Sequence, residues 1–294
     1  MVKTFAAYLI VALSVATAAP LEKRDNTCKF PSNKGMVPIT PHSSNGGWAM
    51  SSNQQCKANN YCPYACPPGK LMAQWDPSSK SYTKGKSMEG GLKCNSDGTV
   101  LKPFQNKDYC VDGKGTVKAH NKDGNNVAFC QTVLPGNEAM LIPTNVDGNS
   151  EQTLAVPGSD YWASTAAHYY INPPGVSTDD GCVWGSKDKP HGNWAPYVAG
   201  TNMNNQGNTF VKIGYNPIYT RDYQNKKPDF GIKITCDEGK CNNANCEIDP
   251  SKSGFNEVNG SQTGKTEGAA YCVVTAEDKS HARIEIFSTK GNNQ

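Results

Sequence analysis

Twelve cysteines, at positions 28, 56, 62, 66, 94, 110, 130, 182, 236, 241, 246 and 272, constrain this chain more than any other feature. What they permit depends on the compartment, and the N-terminus indicates one. Met1 to Ala19 carries a single lysine, Lys3, then the apolar run AAYLIVALSVA and the small-residue end ATAA, the three-part layout of a secretory signal peptide. The run is too short to remain as a membrane span. Residues 20–24, PLEKR, end in the dibasic pair Lys23-Arg24, the kind of site a kexin-type protease cuts, so a short pro-segment is expected and the mature chain begins at Asp25. All twelve cysteines then lie in the mature part. An even number of thiols in an oxidising compartment predicts six disulfides. Zinc would need CxxC pairs, whereas Cys62 and Cys66 are four apart and Cys236, Cys241 and Cys246 are five apart, so no metal or other cofactor is expected. Spacing alone leaves the pairing open.

The mature chain is long enough to bury one sizeable core, and a single domain over 25–294 is expected. Loss of Lys3, Lys23, Arg24 and Glu22 takes the formal charge from +3 to +1, and no cluster of Lys and Arg suggests a nucleic-acid footprint. Pro and Gly break every candidate helix between Cys28 and Trp75. From Ser78 to Asp123 short candidate strands alternate with Asp-Gly and Gly-Gly turns, a spacing that predicts antiparallel hairpins. FVKIG at 210–214, FGIKIT at 230–235, AYCVVT and ARIEIF alternate apolar and polar residues with period two and read as half-buried strands. Tyr161 to Tyr170 is the one stretch where a short helix is considered, against its β-branched and aromatic content. The expected fold is all-β: a disulfide-rich β-sandwich with long loops, for which a thaumatin-like arrangement is an analogy. Asn259-Gly260-Ser261 is an N-glycosylation acceptor in a polar segment and is expected at the surface.

Chemistry is sought first between Leu154 and Tyr223, where aromatic rings are set among Gly, Pro, Asn and Ser with few aliphatic residues. A pyranose presents an apolar C–H face and a rim of hydroxyls, so an aromatic plane beside polar side chains matches both of its surfaces. A core filled by large residues in a leucine-poor, bridged fold accounts for part of the same pattern. Nucleophilic triads are not indicated, since no Ser lies in GxSxG and no thiol is left over. Cofactor loops of the GxGxxG or GxxxxGK[ST] type are absent. Carboxylates embedded in apolar or aromatic text remain: Asp76, Asp108, Asp112, Glu138 and Asp160. Glycoside hydrolysis uses two such groups, one protonated and one ionised. Each of the five also reads as an ordinary turn residue.

The runs CPYACPPGKLMAQW (62–75), FCQTVLPGNEAMLIPT (129–144), LAVPGSDYW (154–162), TAAHYYINPPGV (165–176), GNWAPYVAG (192–200) and FVKIGYNPIY (210–219) closely resemble the SUN family of secreted fungal cell-wall proteins. The resemblance covers nearly the whole mature chain. It implies a β-glucosidase-like glycoside hydrolase, of family 132, that acts on β-1,3-glucan in wall remodelling and septation. It also implies a location outside the cell or in the wall, with polysaccharide as partner; a monomer is expected, with neither nucleic acid nor membrane as partner, on the charge distribution and the short apolar run described above. Within that frame Glu138, with the more apolar neighbours, is taken as the general acid and Asp160 as the ionised carboxylate. Trp162, Tyr169, Trp184, Trp194, Tyr197 and Tyr215 are the candidate sugar-binding rings. The alternative function is a wall protein that binds β-glucan without cleaving it.

Overall fold

A computed structural model describes residues 26–83, 89–136, 141–236, 240–242 and 244–289; the expected signal peptide and dibasic site lie outside them. Two sheets face each other. The larger has eight strands, in the order Cys241–Asn242, Ala269–Ala276, Thr209–Tyr215, Tyr197–Met203, Ala167–Ile171, Val127–Val133 and Ile142–Val146, with Thr263–Thr266 also paired to Ala269–Ala276. The smaller runs Asn259–Gly260, Cys246–Ile248, Phe230–Cys236, Ala282–Ser288, Val117–Asn121 and Ser150–Thr153. Neighbours are antiparallel except Ala282–Ser288 and Val117–Asn121, which run parallel.

Period-two alternation explains why these sequences become strands with one buried face. In Tyr197–Met203 the residues Tyr197, Ala199, Thr201 and Met203 are buried while Val198, Gly200 and Asn202 are only partly so. Thr209–Tyr215 repeats the pattern, with Val211, Ile213 and Tyr215 inward and Phe210 and Lys212 outward. The inward sets of both sheets form one core in which Phe129, Tyr169, Ile213, Phe230, Ile232 and Ile284 are among the buried side chains. A side chain of this size contributes about 1.5–3 kcal/mol when fully buried, so the sandwich is held chiefly by this layer.

In the segment before the sandwich, from Cys28 to Asp112, the strands among the described residues are two or three residues long, Tyr61–Cys62, Lys70–Met72, Leu92–Cys94, Val100–Leu101 and Cys110–Asp112. It packs its own core around Trp48, Tyr64, Met72 and Leu92. Three disulfides tie it, Cys28–Cys94, Cys56–Cys62 and Cys66–Cys110. The other three, Cys130–Cys182, Cys236–Cys241 and Cys246–Cys272, belong to the sandwich. No cysteine is free. An all-β, six-disulfide sandwich is thus the fold, as the sequence predicts.

One local expectation needs correction, and over Tyr161 to Tyr170 the residue content that argues against a helix prevails. Among the described residues, the one hairpin formed of those expected between Ser78 and Asp123 is Leu92–Cys94 with Val100–Leu101. Cys110–Asp112 pairs back to Lys70–Met72, and Val117–Asn121 pairs with the late strand Ala282–Ser288 and with Ser150–Thr153. The Asp-Gly and Lys-Gly steps between them turn the chain from one sheet to another instead of folding it back. Over Tyr161 to Tyr170 there is only a 3-10 turn, Trp162–Ser164, followed by the strand Ala167–Ile171. Among the described residues no helix is long and apolar enough to cross a membrane. Asn259 is exposed on the outermost strand of the smaller sheet.

Candidate functional site

The outer face of the larger sheet carries two adjoining hollows. One, of about 560 Å³, is lined by Tyr82, Leu134, Thr165, His168, Tyr170 and Trp184, among others. The second, of about 390 Å³, shares Ala166, His168 and Tyr170 with it and continues over Asn202, Phe210 and Lys212. Strand parity puts these side chains there. In Ala167–Ile171 the inward positions are taken by Ala167, Tyr169 and Ile171, which leaves His168 and Tyr170 on the opposite face.

Loops deliver the remaining rings. The Cys130–Cys182 disulfide fastens the chain just before Trp184 to the outer face of the sheet, next to Tyr170. A bridge from Trp184 to Gly192 and a bond from the Gly185 N–H to Asn193 Oδ1 (2.9 Å) fix the indole's base. Trp184 is left 53% exposed and Tyr82 50%, so each offers a ring surface to solvent. On the far side Lys212 Nζ lies 3.7 Å from the centre of the Tyr271 ring. Partial burial lowers the pKa of Lys212. His168 is lowered too, by crowding of its ring and then by the Lys212 charge, which favours the neutral imidazole at neutral pH. The surface therefore combines aromatic planes with an amide, a hydroxyl, an imidazole and an ammonium, the mixture that suits a polyhydroxylated ligand. Among the described residues no Asp or Glu lines either hollow.

Of the rings singled out in the sequence, Trp184 stands on this surface. Tyr169, Tyr197 and Tyr215 turn into the core and have no face open to a ligand. The Tyr169 hydroxyl donates to Gln131 Oε1 and accepts from the Ala155 N–H, both at 2.8 Å. Tyr197 donates to the Phe230 carbonyl at 3.0 Å and meets Tyr215 edge-on. Trp162 is buried and its indole N–H donates to the Ser79 carbonyl at 2.7 Å, so it supports the segment that carries Tyr82. Trp194 is half-buried, with the Arg221 guanidinium 5.9 Å from its ring centre, and does not line the hollows. Tyr82, His168, Phe210, Lys212 and Tyr271 are not among the candidates the sequence offers, and Tyr170 belongs to the aromatic stretch but not to the candidate sugar-binding rings. Strand parity was the available signal: Ala167 and Ile171 fix the inward face, which sends Tyr169 in and Tyr170 out.

Glu138 lies outside the described residues, four positions along the chain from Leu134. Asp160 lies on a separate polar cleft of about 650 Å³ with Lys114, Ser159, Asn204, Lys279 and His281. Its carboxylate pairs with Lys114 Nζ at 3.1 Å. The lysine hydrogen bond, with help from a backbone N–H, holds Asp160 below the usual carboxylate range. A side chain at Gly158 would bring its Cβ within 2.1 Å of Lys114 Cε and 2.4 Å of Asp160 Oδ1, so the pair would have to shift to admit it. Asp76 caps its own turn, accepting from the Ser78 N–H and hydroxyl at 2.8 Å, and Asp112 pairs with Lys70 at the surface. Asp108 bonds through its backbone carbonyl to Gln74. Three sulfurs, of Cys28, Cys56 and Cys94, lie close together, but they are the junction of two disulfides and offer no thiolate to a metal.

Comparison with known proteins gives a consistent relationship. The family described as "Beta-glucosidase (SUN family)" matches residues 23–274. An uncharacterised protein of Saccharomyces cerevisiae is 55% identical over 285 residues, 92% of this chain and 80% of that one. The "Probable secreted beta-glucosidase adg3" of Schizosaccharomyces pombe is 52% identical over 270 residues; these are 90% of this chain but only 24% of that protein's length. The "Beta-glucosidase-like protein NCA3, mitochondrial" of Saccharomyces cerevisiae is 36% identical over 230 residues, 74% of this chain and 65% of that protein. No solved structure matches.

Proposed function

The chain belongs to the SUN family, and on that footing we propose that it is a secreted glycosidase of the fungal cell wall that acts on β-1,3-glucan in wall remodelling and septation, holding the polysaccharide on the outer face of its larger sheet. The observation that carries the reading is the grouping of Tyr82, Tyr170 and Trp184 beside His168, Thr132 and Lys212 on a solvent-facing surface. Sugar C–H faces stack on the rings while hydroxyls bond to the polar groups. Names of relatives support the activity and, with one mitochondrial exception, secretion.

In this reading Glu138 is the general acid and Asp160 the ionised carboxylate, and because Asp160 lies on the separate polar cleft, a glucan that is cleaved must reach from the hollows to that cleft. The lowered pKa of Asp160 suits an ionised role. A second reading, a non-catalytic glucan-binding protein, is favoured by the lack of a carboxylate among the described residues that line the hollows. Product analysis on defined β-1,3-linked oligosaccharides separates the two. For the enzyme, Glu138→Gln and Asp160→Asn are each expected to lower turnover on the order of a hundredfold while binding to insoluble glucan persists. If the parent protein binds glucan and releases no product, the second reading stands.

A further inference from the structure

Strand register aligns the outward residues of the larger sheet into rows. Thr132, His168, Gly200, Lys212 and Val273 stand side by side on five neighbouring strands. The adjacent row places Tyr170, Val198, Gly214 and Tyr271 in the same way. Five strands span roughly 19 Å at the usual spacing of about 4.8 Å. Such a length exceeds one sugar ring several times over. The two hollows lie along these rows and adjoin at His168 and Tyr170, which line both.

Two glycines interrupt the rows, for different reasons. At Gly214 a Cβ would stand 2.8 Å from Tyr271 Cβ and 2.9 Å from the Ala270 carbonyl oxygen, so close packing excludes a side chain. At Gly200 a Cβ would meet His168 Cδ2 at 3.5 Å, Lys212 Cβ at 3.9 Å and the Ala167 carbonyl oxygen at 4.0 Å, all ordinary contacts. The backbone there is not left-handed, so no glycine is required by conformation. A glycine within a central strand weakens it, and such a glycine often marks a bulge, a tight bend or a place where a ligand or another backbone comes close.

We infer that Gly200 is the floor of a single trough between His168 and Lys212, and that the trough takes several consecutive rings of a glycan chain in preference to one terminal sugar. The inference rests on the glycan reading of this face and specifies the ligand: an oligomer or polymer that crosses the strands, with one ring seated directly on the Gly200 backbone. A side chain at position 200 would fill that seat while adding strand-forming bulk.

The test uses the intact mature protein with glucose and β-1,3-linked oligosaccharides of increasing length, by calorimetry, with melting curves on every variant. Affinity of the parent is expected to rise at least tenfold from the disaccharide to the hexasaccharide. Gly200→Val is expected to melt at or above the parent temperature and to bind the hexasaccharide at least tenfold more weakly. Gly200→Ala, whose methyl fits at ordinary contact distance, should keep the fold and lose affinity in the same direction by a smaller factor, and it carries the test if the valine variant does not fold. Equal affinity of the parent for the disaccharide and hexasaccharide overturns the multi-ring trough. Undiminished hexasaccharide binding by a folded variant overturns the role of Gly200. Both outcomes leave the glycan reading intact, whereas a parent that binds no β-glucan at all defeats that reading and the inference together.

Discussion

Removing the indole of Trp184 is expected to weaken glucan binding about tenfold, since a stacked aromatic contact is worth about 0.5–1.5 kcal/mol beyond its buried area. Half of that side chain already faces water, so the accompanying change in stability should stay within about 1 kcal/mol. Trp162→Ala should behave in the opposite way, costing about 3–5 kcal/mol by opening a cavity and by removing the indole bond to the Ser79 carbonyl. Calorimetric titration with glucan oligosaccharides and urea unfolding of both variants check the contrast; a Trp184 variant that binds as the parent does would remove this ring from the site. The sequence placed both tryptophans in one aromatic stretch and could not tell them apart. Composition shows that rings are concentrated there, whereas the side each one faces depends on strand parity and on the Cys130–Cys182 clasp, which spacing does not reveal. Tyr169 and Tyr170 make the same point at adjacent positions, one in the core and one on the surface.

Across the outer face of the smaller sheet, Lys233, Glu285, His120 and Glu151 stand in register on four strands. Glu285 is the buried member, with Lys122 Nζ at 2.8 Å, Lys233 Nζ at 3.4 Å and the Thr235 hydroxyl donating at 3.1 Å. Burial alone would raise its pKa, but the Lys122 ammonium, with Lys233 and Thr235, outweighs that and holds the carboxyl below its ordinary 4.5. The unfolded chain therefore takes up this proton at higher pH than the folded one. The stability that Glu285 contributes is complete above about pH 4.5 and is lost as pH falls through its lower folded value. Glu285→Gln is expected to cost about 1–3 kcal/mol at pH 7, and its unfolding free energy should vary less with pH below 4.5 than that of the parent. Urea unfolding at a series of pH values measures both; parallel curves for the two proteins would show that Glu285 does not set the acid limit. The strands that carry this ladder were legible, because FGIKIT and ARIEIF alternate cleanly. Their partners were not, since Val117–Asn121 is joined to a strand near the other end of the chain and no local turn announces it.

At the scale of the molecule, the even cysteine count and the lack of any long helical stripe led directly to a bridged all-β domain. The division of the bridges, three in the segment before the sandwich and three within it, needed the structure. The parallel strand has a further consequence for how the protein is made. Ala282–Ser288 lies in the middle of the smaller sheet, between Phe230–Cys236 and Val117–Asn121, so until it arrives that sheet exists as two separate halves. In a chain emerging from the ribosome the two halves have no strand between them until residue 288 has been made, and Val117, Ile232 and Ile248 lack the core neighbours Ile284 and Ile286 that this strand brings. A chain stopped after Glu277 is thus expected to bind a hydrophobic dye and to be cut rapidly by protease, and to regain resistance when a peptide covering 278–294 is supplied. Protection of the shortened chain without the peptide would mean that the two halves close on their own.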